Sequence, residues 1–286
     1  QPCVASSEIK TSRDEPAPTV THHMQRRPIV ILNLAAYRFV AIDDVATLVS
    51  TLRERLKDSG LRGTVLVAPE GINVFLAGDA RVLREFVAWL RTDTRFAEME
   101  LKWSESSHLP FRKLLVKAKP ETISFRKEGL DPIGARAPSV NPDVLARWIR
   151  NGTDDAGRPI ALLDTRNQQE VAYGSFEHAI TLPIDKFTEF PDALEAYRQD
   201  LSGKTIVSFC TGGIRCEKAA LFMQQAGFEH VLQLEGGILG YFEAVGGYGY
   251  RDRCFVFDER VALDPALQPL VDASVGAGFK PALPQG

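Results

Sequence analysis

Apolar positions along this chain change period several times, and the changes mark out its elements. From Pro28, PIVILNLAAY is a near-continuous apolar run of strand type. DDVATLVSTLRERLKDSG (43–60) then spaces its apolar residues three and four apart between an Asp start and a Gly stop, which predicts a helix. RGTVLVAPEG (62–71) and INVFLAG (72–78) return to the strand pattern, with a turn at PEG where Gly71 is expected at positive φ. DARVLREFVAWLRTD (79–93) is helical again, and MELKWSES (99–106), FRKLLVKAK (111–119) and ETISF (121–125) are strand-like. The order β-α-β-β-α-β with an added strand predicts a ferredoxin-like α+β domain over residues 24–128.

Residues 129–141, GLDPIGARAPSVN, mix Pro and Gly with short polar residues, have no period, and read as a linker. From 142 to 250 the pattern is different. Short apolar strands (IALLD, HAITLP, TIVSFC, HVLQLEGG) alternate with helical stretches (PDVLARWIRNG, QQEVAYG, FPDALEAYRQDL, CEKAALFMQQAGF). That alternation predicts a doubly wound parallel sheet, so the fold class is α/β with a smaller α+β domain in front. Residues 251–286 form a C-terminal extension with one strand-like stretch, CFVFDER. Residues 1–23 are polar and are expected to be a disordered tail, with Met24 as a natural start.

Composition adds limits. With 286 residues, 44% hydrophobic and 25% charged, the chain can bury about two ordinary cores without disulfide staples. The formal net charge of −3 argues against a nucleic-acid binder that works through its whole surface, though not against a local basic patch. Such a patch exists: between Phe111 and Lys127 six positive charges face one acid, Glu121. Lys113, Lys117 and Lys119 would share one face of a strand, where they can contact phosphates or simply protect a solvated edge. The cysteines, Cys3, Cys210, Cys216 and Cys254, form no C-x-x-C pair, and a reducing cytoplasm suits them best. No apolar stretch approaches the ~18 residues of a membrane span.

The chemistry concentrates in TIVSFCTGGIRCEK (205–218), where an apolar run ends at Cys210 and a helix follows. Ligands bind beyond the carboxyl ends of strands in such sheets. Gly212 and Gly213 let the backbone N–H groups of Thr211 to Arg215 curl over the sulfur, an anion nest backed by a helix N-terminus. A thiol there is expected to have a lowered pKa and to act as a nucleophile, with Arg215 adding positive charge. The alternative is a buried structural cysteine beside a tight turn. The loop spacing, C-T-G-G-I-R, is C-x4-R, narrower than the C-x5-R of cysteine phosphatases, and favours sulfur or thiol-adduct chemistry over phosphate hydrolysis. Cys216 is a candidate resolving thiol or a small packing residue.

LLDTRNQQEVAYGSFEHAITLP (162–183), the cysteine loop and LEGG (234–237) resemble a rhodanese domain, departing from it at Gly174-Ser175-Phe176, where that family has Gly-His-Ile. APEGIN (68–73), CTGGIRCEK (210–218), LEGGI (234–238) and FVFDER (255–260) together resemble the rhodanese-related tRNA uridine hydroxylases, from Met24 to Arg260. The resemblance implies a tRNA partner and oxygen-dependent 5-hydroxylation of the wobble uridine, with the loop cysteine essential and molecular oxygen as co-substrate. Some members carry a cysteine-rich tail that binds metal; this sequence ends FKPALPQG, so no metal site is carried over. None of the five histidines has H-x-D/E spacing, and no Gly-rich dinucleotide fingerprint is present, so no resident cofactor is identified. Asp164 and Arg166 are expected to support the loop as a charge-assisted pair. Glu70 and Asn73 are candidates either for a purely structural turn or for seating the RNA base. Two competing functions remain open at this level: a sulfurtransferase carrying a persulfide on Cys210, and a non-catalytic binding module.

Overall fold

The computed structural model describes residues 30–270. The expected N-terminal tail, Met24 and the end of the C-terminal extension lie outside the described residues.

The first half contains β1 (Ile31–Phe39), α1 (Val45–Leu56), β2 (Arg62–Ala68), β3 (Gly71–Gly78), α2 (Ala80–Leu90), β4 (Glu100–Ser106) and β5 (Leu114–Ala118). The sheet order is β4-β1-β3-β2-β5, which is the ferredoxin-like order with β5 added in parallel beside β2. In α1 the buried Leu48, Val49, Leu52 and Leu56 recur at three- and four-residue spacing. In α2 the Asp79 carboxylate accepts the N–H groups of Arg81 and Val82 at 3.0 and 3.1 Å, capping the helix. Both helices bury one face on the sheet to make a single core. Gly71 has φ +154°, and a Cβ there would meet the Arg38 carbonyl oxygen at 2.2 Å, so the turn into β3 requires glycine.

ETISF is not a strand. The Glu121 carboxylate accepts the N–H groups of Phe125 and Arg126 at 2.9 and 3.1 Å, a local bond set that replaces a sheet ladder. Phe125 crosses into the second core, where its ring packs on Phe187 and Phe222.

The second half contains β6 (Ser139–Val140), α3 (Pro142–Asn151), β7 (Ile160–Asp164), α4 (Gln168–Val171), β8 (Gly174–Phe176), β9 (Ile180–Thr181), α5 (Phe190–Leu194), α6 (Arg198–Leu201), β10 (Thr205–Phe209), α7 (Ile214–Gln225), β11 (Val231–Leu234) and α8 (Gly237–Val245). The sheet order β6-β11-β10-β7-β9 is parallel throughout, with β10 central. Successive strand residues face opposite layers. Ile206 joins the core with α5, α6 and α7, and Val207 joins the core with α3 and α8. The helix expected over 190–201 is two short helices joined by a 3₁₀ turn. There residues three apart stack, setting Arg198 against Glu195 at 2.8 Å.

The chain continues through β12 (Tyr250–Asp252), paired antiparallel to β8, and β13 (Cys254–Phe255), paired to β14 (Ala262–Leu263). CFVFDER is a strand only at its start. Asp258 then folds back on Arg260, and Arg260 Nη1 donates to Ser104 Oγ on β4 at 2.7 Å, fastening the extension to the first domain.

Candidate active site

All five residues of β10 are buried, and Cys210 follows immediately, only 1% exposed. Gly213 takes φ +101° and points its N–H at Cys210 Sγ, 3.1 Å away. The helix expected from Cys216 begins two residues earlier, at Ile214, so Arg215 belongs to its first turn rather than to an open loop. Thr211, Gly212 and Gly213 alone make the bend. The start of α8 lies across this bend: Ile238 and Leu239 donate to the carbonyls of Cys210 and Thr211 at 2.9 and 3.0 Å. A Cβ on Gly237 would lie 2.6 Å from the Cys210 carbonyl oxygen and 2.7 Å from the Gly213 nitrogen, which accounts for the paired glycines of LEGGI.

Arg215 is clamped by Glu170, a residue that carries no obvious chemical signature in the sequence. Arg215 Nη1 and Nη2 donate to Glu170 Oε2 and Oε1 at 2.5 and 2.6 Å, a bidentate pair with Glu170 fully buried. Glu170 is itself fixed by a capping box with Asn167 at the start of α4. The N-x-x-E spacing is the one local signal that could have found it.

Burial alone would raise the Cys210 pKa. The Cys216 thiol, the Arg215 charge and the N–H groups of Arg215 and Gly213 outweigh it and lower the pKa to about 6. Cys216 behaves oppositely: burial and the neighbouring Cys210 push it well above its ordinary value. Cys216 is fully buried, with Thr165 Oγ1 3.8 Å from its sulfur, and its thiol is among the groups that lower the Cys210 pKa. Burial also pushes Cys254 up to about 12. Of these three thiols only Cys210 has its pKa lowered, the direction that favours a thiolate.

Asp164 and Arg166 form the expected pair, at 2.9 and 2.6 Å, both fully buried. Their further bonds go to β8 rather than to the cysteine loop: Arg166 Nη2 donates to the Gly174 carbonyl at 2.7 Å, and Ser175 Oγ donates to Asp164 at 2.7 Å. The link to β10 runs through Thr165, whose N–H and hydroxyl both donate to the Phe209 carbonyl at 3.0 Å.

The first turns of α7 also face the first domain. Lys218, 3% exposed, donates to Glu70 and Glu121 at 2.7 Å each and to the Ile123 carbonyl at 3.0 Å. Glu70 also accepts the Thr122 N–H at 2.7 Å, so its carboxylate is committed to a tie between domains. Asn73 is buried in β3, between Tyr37 on β1 and Leu66 on β2. Of the three lysines expected on one strand, only Lys117 lies in the edge strand β5, exposed; Lys113 precedes the strand, exposed, and Lys119 follows it, half-buried. No helix among the described residues is long and apolar enough to cross a membrane.

Comparison with known proteins finds two domain families in the chain. The UPF0176 acylphosphatase-like domain matches residues 31–122, and the rhodanese-like domain matches residues 142–244. A tRNA uridine(34) hydroxylase of Xanthomonas euvesicatoria pv. vesicatoria is 64% identical over 85% of this chain and 98% of its own length. Proteins of the same name are 60% identical in Xanthomonas campestris pv. campestris (87% of this chain, 98% of theirs) and 57% identical in Xylella fastidiosa (88% and 98%). Since the likeness covers 85–88% of this chain and 98% of these relatives at such identity, the chain belongs to the tRNA uridine(34) hydroxylase family.

Proposed function

We propose that this chain is a cytoplasmic oxidoreductase that hydroxylates uridine 34 of tRNA at C5, with molecular oxygen as co-substrate and the Cys210 thiolate at the reacting centre. The observation that carries the reading is the thiolate site itself: a sulfur at a strand end, 3.1 Å from the Gly213 N–H, beside an arginine fixed by Glu170. The names of the relatives support the substrate. A thiolate of this kind can add to C6 of uracil, the β-carbon of a conjugated carbonyl, which makes C5 electron-rich enough to take up oxygen. One oxygen atom replaces hydrogen at C5 when the thiolate leaves. The other is reduced to water by two electrons and two protons from a thiol reductant. Lys113, Lys117 and Lys119 are proposed to meet tRNA phosphates, and Glu70 to hold the domains together rather than to seat the base.

Nucleoside mass spectrometry of tRNA from cells with and without this protein tests the reading. The 5-hydroxylated uridine at position 34 should vanish without the protein and return with wild type but not with Cys210→Ser, because serine stays a neutral hydroxyl near pH 7. Unchanged wobble uridines, with the purified protein moving sulfur from thiosulfate to cyanide, would replace this reading by the sulfurtransferase one.

A further inference from the structure

Between the two domains lies a cleft of about 210 Å³ whose walls come from β1, Glu100 at the start of β4, the linker and α7. At ~30 Å³ per water it would hold about seven waters, room enough for one pyrimidine base. Tyr37 and Glu217 line it and lie closest to the cysteine loop. A Cβ built on Gly213 would come 2.9 Å from the Tyr37 hydroxyl, and that hydroxyl donates to Glu217 at 3.2 Å. The cleft therefore adjoins the bend that holds the Cys210 sulfur.

The lining divides by chemistry. Phe39, Pro132 and Ile133 supply apolar surface, and Ile133 is 45% exposed on the linker with no core to join. Arg38 and Arg136 supply donors. Arg38 bonds Glu98 through its two terminal nitrogens, but its Nε–H is buried and has no acceptor. Arg136 is oriented by Glu217 and Glu235, each at 3.2 Å through Nε and Nη2, which leaves Nη1 uncommitted. Apolar and aromatic surface beside guanidinium donors is how proteins hold an unstacked single-stranded base.

We infer that this cleft receives the nucleotide to be modified, its pyrimidine against Phe39, Pro132 and Ile133 and its oxygen acceptors on Arg38 and Arg136, with Tyr37 positioning the base next to the Cys210 loop. The inference rests on the proposed reaction for its substrate, yet it can be tested apart from it. Both domains are then needed for one site: β1 supplies Tyr37, Arg38 and Phe39, while α7 and the cysteine bend supply the nucleophile.

The test uses two anticodon stem-loop RNAs, one with uridine at position 34 and one abasic there, and two variants, Arg38→Gln and Ile133→Trp. The tryptophan replaces an exposed side chain and fills the cleft, and melting temperatures check that both variants fold. Wild type should bind the uridine loop about tenfold tighter than the abasic loop, roughly the worth of one charge-assisted hydrogen bond. Both variants should erase that difference and raise KM for tRNA about tenfold, with kcat changing less. If wild type does not distinguish the two loops, or both variants still do, the cleft is not the base site, whatever the hydroxylase assay gives. If no RNA is hydroxylated but the affinity difference is present in wild type and absent from the variants, the cleft stands and the hydroxylase reading falls.

Discussion

Cys210 stands between opposed influences, burial on one side and three kinds of donor on the other, and the donors win. The sign of the resulting pH effect is fixed. Its pKa in the folded protein is about 6, below the ~8.5 of a free thiol, so ionisation favours the folded state. That contribution is complete above about pH 8.5 and is lost as pH falls through about 6. Cys210→Ser removes the titration, so the stability gap between wild type and variant should widen from about pH 6 to about pH 8.5 and be flat below. Denaturant unfolding at several pH values measures it, and a gap independent of pH would mean the sulfur is not ionised. The residues of this device were mostly legible, because a strand end, two glycines, an arginine and a helix follow one another in the chain. Glu170 was not, since the pair it makes with Arg215 spans 45 positions and only a cap motif marks it locally.

Elements were legible where periodicity was strong, as in α1, although Asp44 makes no cap bond and the helix stops four residues short of Gly60. They were legible too where period and cap agreed, as in α2, and where an apolar run sat at the centre of a sheet, as in β10. They were misread where tertiary contacts decide. ETISF has strand composition, but Glu121 takes its backbone N–H groups and Phe125 is drawn into the other domain. Gly174-Ser175-Phe176 forms a strand because Tyr250–Asp252, some 75 residues later, supplies its partner. The start of α8 shows the same dependence in a form open to experiment. Gly237 has φ +62° and a Cβ position 2.6 Å from the Cys210 carbonyl, whereas Gly227 has φ +80° and open space around it. Gly227→Ala should cost only the left-handed backbone penalty, ~1–2 kcal/mol. Gly237→Ala should cost more and also raise the Cys210 pKa, because the bend that aims the Gly213 N–H must move. Equilibrium unfolding and thiolate absorbance at 240 nm report the two quantities. Equal destabilisation of both variants, with the Cys210 titration unmoved, would show that α8 does not hold the loop.

At the scale of the molecule, the question is how a chain of net charge −3 engages a polyanion. In the sequence a lysine-rich strand and a thiol site stand almost a hundred residues apart, with nothing to say how they relate. The fold relates them through Lys218. β5 ends at Ala118, Lys119 follows, and the carboxylate of Glu121 holds Lys218 at 2.7 Å, one turn into the helix that starts beside Cys210. Glu70, from the turn between β2 and β3, holds the same ammonium, and Arg260 ties the C-terminal extension to Ser104. Lys218, buried between these two carboxylates, fastens the segment after β5 to the helix that starts beside Cys210. Lys117 is exposed on β5, Lys113 is exposed just before it, and neither touches the thiolate site. Their double replacement by glutamate should therefore weaken tRNA binding and flatten the plot of log affinity against log salt by roughly 0.7–0.9 for each phosphate that is no longer neutralised. Melting temperature and the Cys210 titration should stay as in wild type. A salt dependence identical to wild type in a filter-binding titration would return these lysines to the role of edge-strand protection, with tRNA gripped elsewhere.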